Sequence, residues 1–303
     1  MMVEVDPPAR LDGRLLTEVR EFVSQLVADT SLVEGALLGG AHAKGIPYEG
    51  SDVDVFIYYK YPLKALLSVD SPPLQLSLQD KEIESADGTL FVHFRGRKYE
   101  PICVPVKAPG NRARELAYNL YKPNIDYYFK LMKGIPAVAT KTFSEFLERM
   151  KTEYVLHKDA VFGYFDGYMT GQLLKHRRRR DAQRRFTKAM LERSALPVAK
   201  LTVEGVYMGL SGIYLLEEER ISRDFVALLE RYSELFPKDD YAFINECLDR
   251  KLYGKPVSQP LEEWLKRAAD VRDRAFGVLH RRLKEAKERS RLPDFTHSHR
   301  RRN

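Results

Sequence analysis

The sequence has little cysteine and tryptophan and no long apolar run. Of its 303 residues, two are Cys and one is Trp. Cys103 lies in an apolar stretch and Cys247 is far from it in sequence, which favours buried free thiols over a disulfide or a metal site. No apolar stretch reaches the roughly 18 residues that a membrane span requires. We therefore expect a protein without membrane segments or structural disulfides.

The first ten residues lack the pattern of a secretory signal, because they contain Glu4, Asp6 and two prolines. Together with the scarcity of cysteine, this favours a cytoplasmic location. Hydrophobic residues make up 44% of the chain and charged residues 31%. These proportions predict a globular protein with an ionic surface, and the length allows two domains.

The net charge of +7 is unevenly distributed. The segment from Lys175 to Arg185 carries +6, and the segment from Arg281 to Asn303 also carries +6, which leaves −5 for the rest of the chain. Positive charge concentrated in two segments indicates a polyanionic partner, although a solvated helix face and a basic tail would give the same pattern.

One stretch combines glycine with closely spaced carboxylates. The apolar run from Val33 to Leu38 ends at Gly39 and Gly40, and Asp52-Val53-Asp54 precedes a second apolar run, Val55 to Tyr59. This pattern predicts two strands joined by a glycine-containing connection. On a strand, residues two apart point to the same face, so the two aspartates repel each other unless a cation neutralises them.

The types of residue in this stretch favour a metal–polyphosphate site. Mg²⁺ binds one or two carboxylates in proteins and completes its coordination with phosphate oxygens and water. Glycines let backbone N–H groups approach an anion without obstruction by a side chain. An acidic strand end beside an ordinary glycine turn is the alternative interpretation.

These residues carry a resemblance to a known superfamily. Leu38-Gly39-Gly40, followed after eleven intervening residues by Asp52-Val53-Asp54, resembles the signature of the DNA polymerase β-like nucleotidyltransferases. The wider run from Gly40 to Asp54 is most similar to the branch of predicted nucleotidyltransferases associated with RNA repair. The motif covers about twenty residues of the chain.

The resemblance implies that Asp52, Asp54 and a third carboxylate hold Mg²⁺ or Mn²⁺. In the superfamily the third carboxylate lies on a strand beside the Asp-x-Asp strand, and Glu100 fits this position best. Glu82 and Glu84 are the rivals, but an i, i+2 pair of this kind also fits an exposed strand face. The superfamily more often has Asp at the third position, and Pro101 is unusual inside a strand.

The resemblance also implies where the nucleotide phosphates bind. Gly39, Gly40 and Ser51 would donate hydrogen bonds to them, and Lys44 would add positive charge. In related enzymes a basic residue of the helical domain reaches the triphosphate, and Lys200 is the candidate for that role. An exposed lysine in the first turn of a helix is the alternative interpretation of Lys200.

The remaining pattern predicts an α+β protein with two domains. The resemblance implies that residues 1–135 form a nucleotidyltransferase domain, a polymerase β-like palm whose mixed sheet has helices packed on it. Residues 136–303 would form an all-helical domain with basic segments and a basic tail. The predicted strands are 33–38, 55–59, 81–85, 89–94 and 99–106. Gly134-Ile135-Pro136 is predicted to be the boundary, and Pro197 is predicted to separate two helices.

Two features of the helical part bear on partners. Gly163, Gly167 and Gly171 are four residues apart on one predicted helix and favour close packing of another helix, or of a nucleotide. Arg177, Arg180 and Arg184 share a helical face and are candidates for contacts with nucleic-acid phosphates.

We therefore predict an enzyme that transfers a nucleoside monophosphate from an NTP such as ATP to a hydroxyl, with an RNA or DNA end as acceptor. An antibiotic-modifying or protein-modifying nucleotidyltransferase is the second hypothesis. A non-catalytic nucleic-acid-binding protein that keeps the fold is the third, and the intact Asp52-x-Asp54 pair disfavours it.

Overall fold

The computed structural model describes residues 3–6, 13–27, 29–47, 51–60, 82–86, 89–106, 125–183 and 188–294. It divides into two compact units. The first comprises Met1–Gly45 and Gly50–Tyr154, and the second comprises Ile46–Glu49 and Val155–Asn303.

The first unit contains strands and four helices in the described ranges. Its strands are β1 (Glu4–Val5), β2 (Val33–Leu38), β3 (Val53–Lys60), β4 (Ile83–Ala86), β5 (Thr89–Phe94), β6 (Arg97–Val106) and β7 (Ile135–Ala139). Its helices are α1 (Gly13–Leu26), α2 (Gly40–Ala43), α3 (Ile125–Lys133) and α4 (Lys141–Glu153), with a 3₁₀ turn at Thr30–Leu32.

Six of these strands form one mixed sheet in the order β4-β5-β6-β3-β2-β7. β3 pairs in parallel with β6, whereas the other neighbouring strands in the sheet are antiparallel. The predicted α+β class and the mixed sheet are therefore confirmed, and the strand that contains Asp54 lies near the centre of the sheet.

Helix α1 packs against this sheet through the apolar stripe that its sequence predicts. Leu15, Val19, Phe22, Val23 and Leu26 are buried on that stripe. The ring of Phe22 stacks on the ring of Tyr99 in β6 with a centroid distance of 4.2 Å. This contact supports β6 from the core side, beside the strand that carries Asp54.

Strand β7 was not predicted, because Gly134 and Pro136 suggested a boundary. β7 pairs antiparallel with β2 at the edge of the sheet, where a proline is tolerated. The side chain of Thr140 then caps α4 by accepting a hydrogen bond from the Phe143 N–H at 3.2 Å. The first compact unit therefore extends to Tyr154, beyond the boundary predicted between residues 135 and 136.

The second unit is helical apart from one short strand in its described residues. It contains α5 (Lys158–Gln183), α6 (Lys188–Glu218), α7 (Phe225–Arg231), α8 (Lys238–Tyr253) and α9 (Leu261–Arg289), with β8 (Arg220–Ile221) and a 3₁₀ turn at Ser233–Leu235. None of the described helices is both long and apolar enough to cross a membrane.

Helix α6 continues through Pro197, so the predicted break at this proline is wrong. A proline inside a helix costs about 3 kcal/mol through its missing N–H and its ring. Ala195, Val198 and Ala199 around it are buried, and α6 packs against α5, α8 and α9. This burial offsets the local cost, because tertiary packing supplies most of the stability of helices in proteins.

Close packing in the second unit occurs at glycines other than those predicted. A Cβ atom at Gly205 of α6 would lie 2.0 Å from the ring of Phe276, and one at Gly209 would lie 2.7 Å from the sulfur of Met169. By contrast, a Cβ atom at Gly163, Gly167 or Gly171 of α5 would meet no described atom within 4 Å. The glycine row of α5 therefore does not pack against another helix among the described residues of this unit.

These two glycine environments give opposite expectations for the same substitution. We expect Gly167→Ala to stabilise the protein by up to about 1 kcal/mol, because alanine restricts the unfolded chain and meets nothing on the helix. Gly205→Ala should destabilise it by about 1–3 kcal/mol through overpacking against Phe276. Chemical denaturation of both variants and the wild type gives the change in the free energy of unfolding for each. Equal changes of the same sign would contradict the different environments of Gly167 and Gly205.

Candidate active site

The glycine motif is tied to the acidic strand by a backbone hydrogen bond. β2 ends at Leu38, and the N–H of Gly39 donates to the carbonyl oxygen of Asp54 at 2.8 Å. The N–H of Gly39 therefore binds β3, which differs from the predicted hydrogen bond between this N–H and a phosphate. The bond holds the start of the connection beside the strand that carries the carboxylates.

Gly40 lies directly against the carboxylate of Asp54. Its φ angle is +57°, in the left-handed region that favours glycine. A Cβ atom at this position would lie 1.5 Å from the Asp54 Oδ2 atom. Both the backbone conformation and the space therefore require glycine at position 40.

The backbone of Gly39 lies similarly close to the aromatic ring of Phe56 in β3. A Cβ atom on Gly39 would lie 2.3 Å from the ring of Phe56. Phe56 is two residues after Asp54 on β3, so the two side chains share a face of the strand. Phe56 is not among the predicted site residues, although its position two residues after Asp54 on a predicted strand could have indicated it.

Asp54 and Glu100 are partners in the parallel pairing of β3 and β6. The pKa of the Asp54 carboxyl is raised from 3.8 to about 6, mainly by burial and then by the nearby charges of Glu100 and Asp52 and a hydrogen bond with Glu100. The charge of Lys44 acts in the opposite direction on the pKa of Asp54. The structure thus brings together the four charged residues that the sequence analysis selected from the N-terminal part.

The chemistry of this carboxylate set fits a divalent cation. Three carboxylates supply hard oxygen ligands, and their mutual repulsion favours a bound positive charge. Among the described residues, however, no group of three or more His, Cys, Asp or Glu side chains is already arranged to hold a metal ion. Asp52 precedes β3 and is partly exposed. The set therefore has suitable ligands without a preformed coordination geometry.

The rival carboxylates lie elsewhere on the sheet. Glu84 is in the edge strand β4, and its Oε1 atom accepts a hydrogen bond from Lys98 at 2.9 Å. This hydrogen bond, together with the nearby charge of Lys98 and contact with His93, lowers the pKa of Glu84. Glu82 is exposed and directly precedes the same strand. Of the three glutamates considered, only Glu100 pairs in register with Asp54.

For the other predicted site residues, the structure gives their position along the chain and, for Ser51 and Lys200, their burial. Ser51 directly precedes Asp52 and is partly exposed. Lys200 is partly buried in the middle of α6, so it does not lie in the first turn of a helix. The backbones of Arg177 and Arg180 are part of α5, whereas their side chains and all of Arg184 lie outside the described part of the chain. The roles of these residues remain predictions.

The raised pKa of Asp54 leads to a measurable dependence of stability on pH. The folded state holds the Asp54 proton more tightly than the unfolded state, so stability is lost as the pH rises from about 4 to about 6. A pKa difference of about two corresponds to about 3 kcal/mol. Asp54→Asn should therefore be more stable than the wild type at pH 7, by up to this amount, and similar to it below pH 4.

Denaturation of both proteins at several pH values, with EDTA present to remove cations, measures this difference. If the difference in the free energy of unfolding between wild type and Asp54→Asn is the same at pH 4 and pH 7, then Asp54 is not buried beside the other carboxylates. Glu84→Gln provides a control, because Glu84 lies at the surface in β4 and should show no corresponding gain of stability at pH 7.

Comparisons with known proteins add the following. No protein-family model matches the sequence, and no curated protein matches it. One similar structure is that of spectinomycin adenyltransferase from Enterococcus faecialis, which was solved with ATP and spectinomycin. The superposition covers 88% of this chain and 98% of the adenyltransferase chain, with 11% sequence identity and a TM-score of 0.46. A second is a nucleotidyltransferase-like protein from Exiguobacterium sibiricum. The superposition covers 93% of this chain and 83% of that protein's chain, with 8% sequence identity and a TM-score of 0.30. Both TM-scores lie below 0.5, so these overlaps do not by themselves establish a family for the chain.

Proposed function

We propose that the protein is a nucleotidyltransferase that moves a nucleoside monophosphate from an NTP to a hydroxyl acceptor. The observation that carries this proposal is the register pairing of Asp54 with Glu100, with Asp52 two residues earlier and the backbone of Gly40 against the Asp54 carboxylate. In the reaction the acceptor oxygen forms a bond to the α-phosphorus of the NTP. The bond from that phosphorus to the bridging oxygen breaks, and pyrophosphate leaves.

The carboxylates have distinct roles in this proposal. Asp52, Asp54 and Glu100 would hold Mg²⁺ or Mn²⁺, which supplies charge neutralisation at the phosphates and a lower pKa for the acceptor hydroxyl. Glu100 lies on the neighbouring strand β6, on the far side of Asp54 from the β2 glycine motif. We assign it to the acceptor side, where it helps to remove the hydroxyl proton.

The residues of the connection would bind the nucleotide phosphates. Lys44 supplies positive charge within electrostatic reach of Asp54, because its charge affects the pKa of that carboxyl. Gly40 and Ser51 would donate hydrogen bonds to phosphate oxygens, and Lys200 remains a candidate for a further positive charge. Gly39 has a different role, since its N–H holds β3 in place.

Substitution of the carboxylates tests this assignment. Asp52→Asn and Asp54→Asn should abolish transfer while the protein stays folded, because relief of charge repulsion does not unfold a strand. Glu100→Gln should lower the transfer rate by about 10²–10⁴-fold and change NTP affinity little, since it acts on the acceptor side. Transfer of labelled NTP in the presence of Mg²⁺ or Mn²⁺ gives the rate, and titration with a fluorescent ATP analogue gives the affinity.

Glu84→Gln is the matched control for Glu100→Gln, because it removes a carboxylate from the same sheet but away from Asp54. It should leave the rate of transfer near that of the wild type. Wild-type activity in the Asp52→Asn, Asp54→Asn double variant would rule out the proposed site.

The acceptor we propose is an RNA end, on the basis of the concentration of positive charge. The segment from Lys175 to Arg185 carries a net charge of +6, as does the segment from Arg281 to Asn303, whereas the rest of the chain has a net charge of −5. Phosphate contacts dominate nucleic-acid affinity, so such a segment suits a polyanion better than a small neutral acceptor. DNA ends, proteins and aminoglycosides are the other acceptors to include in the transfer assay.

Salt dependence of RNA binding tests the basic segment. Replacing Arg177, Arg180 and Arg184 with Gln should remove about three phosphate contacts and reduce the slope of log affinity against log salt by roughly 2 for a single strand. ATP affinity should hardly change, because the carboxylates and Lys44 belong to the first unit. Fluorescence-anisotropy titrations at several salt concentrations measure both. An unchanged slope would remove this basic segment from the acceptor path. Weak RNA binding by the wild type would favour a small-molecule acceptor.

A further inference from the structure

The side chain of Lys251 is almost completely buried, with 2% of its surface exposed. It lies in the last turn of α8, in the second unit. Its Nζ atom donates a hydrogen bond to the backbone carbonyl of Ile46 at 3.0 Å. Ile46 belongs to the same unit and is itself 1% exposed. A buried ammonium group is thus bound to the backbone of the connection between the two halves of the glycine–aspartate motif.

Packing alone does not account for a lysine at this position. Ile244, Cys247 and Leu248 are buried on the same helix, and leucine or methionine at position 251 would be buried there without burying a charge. A buried ammonium group is unfavourable unless hydrogen bonds compensate for its lost hydration. The bond to the Ile46 carbonyl supplies such compensation, and hydrogen bonds from charged donors are stronger than those between neutral groups.

The position of Ile46 in the chain links this bond to the candidate site. Ile46 lies six residues after Gly40, six residues before Asp52 and two residues after Lys44. Gly45, between Lys44 and Ile46, has a φ angle of +70°, so the chain turns sharply there. A fixed carbonyl at Ile46 therefore restricts the path of the backbone from Lys44 onward.

We infer that Lys251 is a positioning residue for nucleotide binding. By holding the carbonyl of Ile46, it restricts the backbone conformation of the connection that carries Lys44, whose charge acts on Asp54. Lys251 itself does not contact the nucleotide in this scheme. The inference rests on the proposed function, since it assigns the connection to the nucleotide phosphates.

Lys251→Met tests the inference, because methionine has a similar length and no donor. The probe is the non-hydrolysable analogue α,β-methylene-ATP with Mg²⁺, titrated against the full chain. We expect the Kd to rise by about tenfold, in proportion to the loss of one charge-assisted hydrogen bond. In the transfer assay, the KM for ATP should rise by a similar factor while kcat stays within about threefold of the wild-type value. Lys251→Arg, which keeps a charged donor, should restore most of the affinity.

Leu248→Ala is the matched control. Leu248 is 6% exposed and lies three residues before Lys251 on α8. Its truncation removes buried apolar volume and lowers the thermal stability, but it leaves the Lys251–Ile46 bond intact, so the Kd should stay at the wild-type value. If Leu248→Ala weakens binding as much as Lys251→Met, the effect of position 251 is general loosening and the inference is wrong.

The outcomes separate this inference from the proposed function. Wild-type protein that binds the analogue, together with Lys251→Met that binds it equally well, would overturn only the positioning role of Lys251. Wild-type protein that does not bind the analogue would overturn the proposed function and this inference with it. If Lys251→Met does not fold, Lys251→Leu, which also lacks a donor, takes its place, and an unchanged Kd in that variant overturns the inference in the same way.

Discussion

The contact between the backbone of Gly40 and the carboxylate of Asp54 determines the arrangement of the candidate site. No side chain fits between the two, since a Cβ atom on Gly40 would lie 1.5 Å from Asp54 Oδ2. The neighbouring bond from the Gly39 N–H to the Asp54 carbonyl holds the end of β2 beside the start of β3. On its other side, β3 pairs in parallel with β6, which sets Asp54 opposite Glu100. The glycine motif and Glu100 thus meet at the same carboxylate, from opposite sides of β3.

This arrangement concentrates negative charge at a partly buried place in the sheet. Burial and the charges of Glu100 and Asp52 all raise the pKa of Asp54, and Lys44 compensates only in part. Sites that combine buried like charges commonly reduce the stability of the folded state in favour of function. The sheet tolerates this cost because its other face is supported by α1, whose Phe22 stacks on Tyr99 of β6.

Much of the first unit could be predicted from the sequence, because its apolar runs alternate with turn residues. Strands 33–38 and 89–94 have the predicted bounds. Glu100 pairs in register with Asp54, and its function as the third carboxylate stays a prediction. β7 could not be predicted from its short apolar pattern, because Gly134 and Pro136 are typical of a break in regular structure. Its pairing with β2 is what makes it a strand. The hydrogen bond of Lys251 could not be predicted either, since its partner is a backbone carbonyl 205 positions away in the chain.

The late position of β7 has a consequence for the order in which the first unit can fold during synthesis. β2 is buried along its whole length and needs a partner on each side, β3 near it in sequence and β7 about a hundred residues later. Non-local pairing of this kind is slow, because a long loop must close first. Until Ala139 has left the ribosome, the nascent chain exposes an apolar strand edge of the kind that promotes aggregation. A gene cut just before β7 would make that exposure permanent, so the shortest polypeptide expected to fold as the first unit ends after α4.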